Sequence, residues 1–439
     1  MVTTPSSRRE VFLNFITYFF SKLVALGVFA IIVPISLEAL GKDGYAVLMM
    51  VLLIIGSTPI LDAGISYALT FRYSRALRKG RHAGILLLSE HSVVYFIVSL
   101  LLACIFFFLC PLLLGDVNVG IIQNDVTFYG AGAIAVFFIV LSGYNRAILT
   151  VKSKVYLINS VDFVSDLLRG MSVWIGASFY HNVTVIVIFI SATFMVRWLL
   201  MMAITLQVTA GMPIVLGSRV RMRSFLATIR IGAPSALPSL LSVALLVIDK
   251  AVIARTQSLS ELAVYSLAYD VTTKWWIGIW AITTAIMPVL LRWESGREYE
   301  KIRKAMHYAW LAVAGLAVAI YLPLNLFESM IVGWWIGHDM AVTARTYIAV
   351  FSLASVVYFV TCVYTIFLQA SGRSMLIAKS SSVGFLVYIA VIVVGALIGE
   401  TYIIALAHVV LWTTVMVMMV RQYAIIPRNM AAVHNIPNV

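Results

Sequence analysis

Charge is what this sequence has least of. Asp, Glu, Lys and Arg together make up 11% of its 439 residues, under half of the ~25% usual in soluble domains. So few charged groups cannot clothe a water-soluble surface of this size, and a soluble globular fold is excluded. Cysteine is scarce as well: Cys104, Cys110 and Cys362 lie in apolar stretches with no metal-ligand spacing. That argues against a disulfide framework or a zinc site and leaves them as small packing residues. No Gly-rich phosphate loop or nucleotide motif is present, and the loops are too short for an ATPase.

What the chain has instead is apolar length. Hydrophobic residues make up 62%, the mean hydropathy is +1.02, and apolar runs of twenty or more residues recur from end to end. This describes an all-α polytopic membrane protein, in which the spanning helix is the unit to count. The pattern predicts twelve transmembrane helices, at 11–39, 45–71, 84–112, 126–148, 155–179, 183–208, 227–254, 262–291, 306–332, 341–370, 376–398 and 401–421.

The formal net charge of +13 would suggest nucleic acid only if a folded soluble domain carried a basic face, and there is none. Placed against the spans, 23 of the 31 Lys and Arg fall at the N-terminus, the C-terminus or the connections after even-numbered helices. Three (Lys42, Arg255 and Arg345) fall on the opposite face, and five lie within spans. The positive-inside rule then puts both termini in the cytoplasm. "SSRREVFLN" resembles a twin-arginine export signal, but the apolar segment after it is too long for a signal-peptide core. Arg8 and Arg9 read as cytoplasmic anchors.

Loops on the outer face are short throughout. The inner connection near mid-chain, "GMPIVLGSRVRMRS", divides the sequence into a six-helix bundle at 1–210, a linker at 211–226, a second six-helix bundle at 227–424 and a cytoplasmic tail at 425–439. An internal echo supports the division. Tyr45, Arg72 and Arg81 have the spacings of Tyr265, Arg292 and Lys301, and Arg146 and Lys152 those of Arg373 and Lys379. Both bundles start and end inside, as in transporters whose repeats are related by an axis along the membrane normal.

Several spans carry a polar face. Asn14, Thr17, Ser21 and Lys22 share one side of helix 1; Asn159, Asp162, Asp166 and Arg169 share one side of helix 5. Helix 2 has Asp62, Ser66, Thr70 and Tyr73; helix 7 has Ser235, Ser239, Ser242 and Asp249; helix 8 has Asp270 and Lys274; helix 10 has Thr361, Thr365 and Gln369. Taken singly, these are helix-joining hydroxyls or local ion pairs such as Asp270 with Lys274. Taken together they point to a solvated interior, because a bundle has one interior to hold them. The intramembrane cations Lys22, Arg169, Arg197, Lys250 and Lys274 make that cavity attractive to anions, phosphate above all. Asp62, Glu90, Asp162, Asp249 and Asp270 are candidates to carry a coupling H⁺ or Na⁺; no other cofactor and no metal is expected. Asp249 and Lys250, adjacent in "LLVIDKAVIAR", point ~100° apart on a helix and are expected not to neutralise each other directly.

The stretches "IIVPISLEALGKDGYAVL", "ILDAGISYALTFRYSRA", "GAPSALPSLLSVALLVIDKAVIARTQSLSELAVYSLAYD" and "FLQASGRSMLIAK" resemble, in order, the conserved segments of the multidrug/oligosaccharidyl-lipid/polysaccharide exporter superfamily. Within it they are similar to the O-antigen and polysaccharide flippases (Wzx-type). Departures are Phe71 before Arg72, where the family often has Thr or Ser, and Val264 before Tyr265, where it has Gly. The resemblance implies a V-shaped, two-bundle, alternating-access transporter in the bacterial inner membrane. It implies movement of undecaprenyl-pyrophosphate-linked oligosaccharide units to the outer leaflet, with a polysaccharide polymerase and a chain-length regulator as candidate partners. It carries roles to Asp249 and Lys250, and to Asp62 and Arg72, which join the expected substrate and coupling residues. Trp275, Trp276 and Trp280 are candidate sugar-stacking rings or interface-belt residues.

Two other functions fit less well. A drug or toxin antiporter of the same superfamily would favour excess acidic groups in its cavity. A polysaccharide polymerase or ligase would need catalytic residues on a sizeable outer loop, and the outer loops are short and hold few candidates, among them His181, His338, Asp339 and Glu400. The expectation is a transporter and not an enzyme.

Overall fold

A computed structural model describes residues 8–114, 126–152, 154–209, 226–228, 241, 244–245, 247–280, 286, 290, 293, 298–370 and 373–429. These residues are helical nearly throughout, and none is in a strand. The chain divides into two compact units, Met1–Arg255 and Thr256–Val439. The first unit holds α1 (Arg8–Lys79), α2 (Arg81–Leu114), α3 (Val126–Val151), α4 (Val155–Ile175), α5 (Val183–Val208) and the helical residues 247–255, the C-terminal part of α6. The second holds α7 (Leu259–Thr273), α8 (Tyr299–Leu326), α9 (Glu328–Ile336), α10 (His338–Ala370), α11 (Ser374–Ile398) and α12 (Thr401–Asn429). The expected linker at 211–226 lies almost wholly outside the described residues.

Backbone groups in hydrocarbon must be satisfied within the chain, which is why apolar runs here can only be helices. Hydroxyl groups follow the same rule by bonding back along their own helix, as Thr70 does to the Ser66 carbonyl and Ser99 to that of Tyr95. Helix starts are capped where the sequence supplies a side-chain oxygen. Asn182 accepts from the Thr184 N–H to open α5, and Ser258 accepts from the Glu261 N–H to open α7.

α1 has 72 residues and, if straight, would run ~108 Å against a ~30 Å hydrocarbon core. It is two helices joined at Gly41, whose φ of 69° and ψ of 177° only glycine adopts without strain. Packing shows that the chain reverses there. Asn159 bonds Thr17 and Gly170 lies against Val28, so α4 is parallel to the first half of α1. Ser172 meets Thr193 and Gly176 meets Ile186, so α5 opposes α4. Ser191 donates to the Ala131 carbonyl and Trp198 packs on Phe138, so α3 follows α5. Gly132 lies on Phe106 and Tyr144 donates to the Leu88 carbonyl, so α2 opposes α3. Tyr95 meets Ser66 and Gly84 meets Leu77, so the second half of α1 opposes α2, and hence its own first half.

The second unit repeats this order. Tyr265 packs on Tyr347 and Tyr269 on Phe351, which makes α7 parallel to α10. Trp310 on Tyr364 and Tyr321 on Phe359 make α8 antiparallel to α10. α12 follows α10 through Phe351–His408 and Tyr358–Trp412, and opposes α11 through Tyr388–His408 and Gly395–Ile404. So α10, α11 and α12 are related as α3, α4 and α5 are.

Eight helical stretches among the described residues are long and apolar enough to cross a bilayer. The expected helices 1 and 2 share one of the eight, Ile16–Ser57. The expected helix 5 falls outside the eight because Asp162, Asp166 and Arg169 lie within its 21 residues.

Candidate functional site

Charge collects inside the first unit, where α1, α3, α4 and α5 meet. α4 brings the carboxylates. Asp162 lies seven residues past Val155, ~10 Å from the helix start, and Asp166 one turn further on. Arg197 of α5 donates from Nε (3.1 Å) and Nη2 (2.8 Å) to Asp162 Oδ1. Arg146 of α3 donates from Nη2 to Asp162 Oδ2 at 3.2 Å. One carboxylate thus joins three helices, with both oxygens engaged. Asp166 is held at 2.8 Å by Arg169, three residues on, and Lys22 and Arg197 are both within electrostatic reach of it.

The polar face expected on helix 1 completes the cluster. Thr17 accepts from Asn159 Nδ2 at 3.1 Å, Ser21 is buried, and Lys22 Nζ lies 5.6 Å over the Tyr18 ring. Lys22 forms no ion pair among the described residues. Four cations (Lys22, Arg146, Arg169 and Arg197) therefore face two carboxylates (Asp162 and Asp166), an excess of two positive charges. Arg197 is only 11% exposed and Asp162 18%, while Arg146 is 47% exposed. The cluster is sunk in the unit but reachable from the end where α3 passes into α4. Such an arrangement can hold an anion through paired guanidinium groups.

The remaining expected residues fall into three places. Arg72 Nη1 donates to Thr228 Oγ1, and His91 Nε2 lies 2.9 Å from the same oxygen. His91 Nδ1 is 2.9 Å from the Leu87 carbonyl, which only accepts, so Nδ1 carries a proton and Nε2 is the nitrogen that meets the Thr228 hydroxyl. Glu90 is buried next to His91. Asp249 and Lys250 are both buried in the C-terminal part of α6, with Nζ 3.8 Å from Oδ1. That corrects the expectation that they do not neutralise each other: a lysine stem is long enough to fold back across the ~100° between adjacent positions. In the second unit Lys274 Nζ is 3.3 Å from Asp270 Oδ1. The side chains of Asp62 and Asn14 lie outside the described residues.

The tryptophans divide. Trp276 stacks on Tyr358 with ring centroids 4.0 Å apart and donates to Ser355 Oγ at 2.9 Å, which covers one of its faces. Trp280 donates to the Tyr358 hydroxyl at 2.9 Å, and Trp275 is exposed. Sequence reasoning missed Arg146 and His91. Arg146 reads as one more basic residue at a helix exit, and its partner is 16 positions away on another helix. No local spacing marks His91 or its contact with Thr228.

Comparison with known proteins defines the fold. Residues 234–394 match the MatE family. A multidrug resistance MATE family transporter of the MOP superfamily, in an inward-facing conformation, superposes with a TM-score of 0.75 at 14% identity, over 93% of this chain and 99% of that one. The lipid II flippase MurJ, in an inward closed conformation, gives 0.74 at 13% identity, over 94% and 87%. A mutant of the Vibrio cholerae MATE transporter VcmN gives 0.66 at 15% identity, over 95% and 97%. A search of the curated proteins found no match. The chain therefore has the all-α fold of these MATE transporter and MurJ structures. The charge cluster lies outside the matched residues 234–394, whereas Asp249, Lys250, Asp270 and Lys274 lie within them.

Proposed function

We propose that the protein is a flippase for an anionic lipid-linked oligosaccharide, an undecaprenyl-pyrophosphate-bound O-antigen or other surface-polysaccharide unit. It would carry that unit from the cytoplasmic to the outer leaflet of a bacterial inner membrane. The observation that carries the reading is the cluster of four cations around two carboxylates in the first unit. An interior with an excess of positive charge selects for a negative head group. Similarity of fold to the lipid II flippase MurJ supports it. In this reading both termini are cytoplasmic, the two six-helix bundles are repeats, and Lys250, Lys274 and Arg72 are further substrate-binding cations. The coupling ion is carried by one of Asp62, Glu90, Asp162, Asp249 and Asp270. The matching helix order of the two units supports the repeat. The polymerase and chain-length regulator are its proposed partners.

A second reading has support of its own. Fold similarity to a multidrug resistance transporter, together with buried Asp249 and the carboxylates of α4, suits an antiporter for cationic drugs. Deleting the gene separates the two. The flippase reading expects loss of surface polysaccharide, with lipid-linked units accumulating on the cytoplasmic leaflet. Normal surface glycan combined with drug hypersensitivity would replace it with the antiporter.

A further inference from the structure

Asp162 sits where an anionic ligand would sit. Its oxygens take three N–H bonds, two from Arg197 that converge on Oδ1 and one from Arg146 to Oδ2, a set of guanidinium donors that suits a phosphate oxyanion equally well. The arginines belong to α5 and α3 and the carboxylate to α4, so the two guanidinium groups converge from helices other than the one that fills the space between them. Asp166 is bonded to Arg169 on its own helix, and that pair can stay together whatever happens at Asp162.

We propose that Arg146 and Arg197 form a site for a phosphate-type dianion which Asp162 occupies in the empty protein. The ligand enters by displacing Asp162, and the displaced carboxylate takes up a proton from water. The occupant's identity, the diphosphate of a lipid-linked sugar, rests on the flippase reading; the exchange itself does not. Arg146 from α3 and Arg197 from α5 face Asp162, and around them lie Asp166 on α4, with Arg169 and Lys22 of α1 in reach of it, and Tyr18 of α1 in reach of Arg146. Once a dianion holds both arginines, Asp162 has lost its three donors and stands beside two negative charges. Both changes disfavour its ionised form. Lys22 is within reach of Asp166 and offsets the charge that remains there. Anion binding and proton uptake become two halves of one equilibrium, and linkage makes the effect reciprocal: acid tightens the anion, and the anion tightens the proton.

The test uses the purified full-length protein in detergent, with sulfate as a dianion that does not itself titrate between pH 6 and 8. Calorimetry in two buffers of different ionisation enthalpy counts the protons taken up per sulfate bound. The wild type should take up a substantial fraction of one proton, with affinity rising as pH falls, by up to tenfold per unit. Asp162→Asn should bind sulfate at least tenfold more tightly at pH 8, with no proton uptake and no pH dependence. Asp166→Asn should keep the uptake, and Arg197→Gln should lose the binding. Sulfate binding without proton uptake by the wild type, which needs no variant to fold, would overturn the exchange. So would Asp162→Asn binding no more tightly than wild type, or no sulfate binding by either protein. Undecaprenyl pyrophosphate and inorganic pyrophosphate are then compared as competitors of sulfate. Stronger competition by the lipid supports the flippase reading; equal competition removes that reading and leaves the exchange standing.

Discussion

Replacing Arg197 with Ala should cost far more stability than replacing Arg146, although both hold the same carboxylate. Arg197 is 11% exposed and donates twice, at 3.1 and 2.8 Å, to Asp162 Oδ1. Breaking a well-buried ion pair from one side costs ~3–5 kcal/mol, because the stranded charge keeps its desolvation penalty. Here the stranded Asp162 retains Arg146 and some contact with water, which lowers the expectation to about 2–3 kcal/mol. Arg146 is 47% exposed and makes one contact at 3.2 Å, so its loss should cost about 0.5–1 kcal/mol, the range of exposed pairs. A double-mutant cycle with Asp162→Ala isolates each coupling. It should give about 2 kcal/mol or more for Arg197 and under about 1 kcal/mol for Arg146. Unfolding by SDS titration of the detergent-solubilised protein is the assay, since it reports free-energy differences among variants of one fold. Equal costs for the two arginines, or an Arg197–Asp162 coupling below about 0.5 kcal/mol, would show that exposure and hydrogen-bond number do not set the energetics of this cluster.

Three further outcomes are expected in the same assay. A Cβ at Gly176 would stand 2.4 Å from Ile186 Cγ1 and 3.1 Å from its Cα, whereas one at Gly27 meets nothing within 4 Å. Gly176→Ala should therefore destabilise by about 1–3 kcal/mol and Gly27→Ala should be neutral or stabilise by up to about 1 kcal/mol; the reverse order would refute the packing of α4 on α5. Trp276→Ala should cost about 3–5 kcal/mol through lost stacking on Tyr358 and the lost bond to Ser355, while Trp276→Phe should recover part of it; a cost below about 1 kcal/mol for Ala would return Trp276 to the candidates for sugar contact. Thr228→Val removes the oxygen shared by Arg72 and His91 and should cost about 1–3 kcal/mol; a cost below about 0.5 kcal/mol would show that neither side chain depends on that oxygen.

Much of this architecture is legible in the chain because its causes are local. Apolar runs and the clustering of arginines at helix exits need no knowledge of neighbours, and α3, α5, α11 and α12 begin within two residues of expectation. The face shared by Asp162, Asp166 and Arg169 also follows from spacing alone. The turn at Gly41 was narrower than expected. "ALGKDGY" reads as a loop, yet helix continues on both sides of one glycine, since a single residue at positive φ suffices to reverse the chain. The arginine partners of Asp162 were not legible. Spacing tells which residues share a helix face, but the meeting of Arg146, Asp162 and Arg197 depends on how α3, α4 and α5 pack.

The narrowness of the Gly41 turn bears on how the protein enters its membrane during synthesis. In the proposed orientation, the turn carries across the bilayer only the exposed Glu38, Lys42 and Asp43, and no polar loop of any length. Their charges sum to −1, and an inside-negative membrane potential pushes that sign outward, worth ~2.3 kcal/mol per 100 mV. The first two spans are thus suited to insertion together as one hairpin, aided rather than opposed by the cell's own voltage.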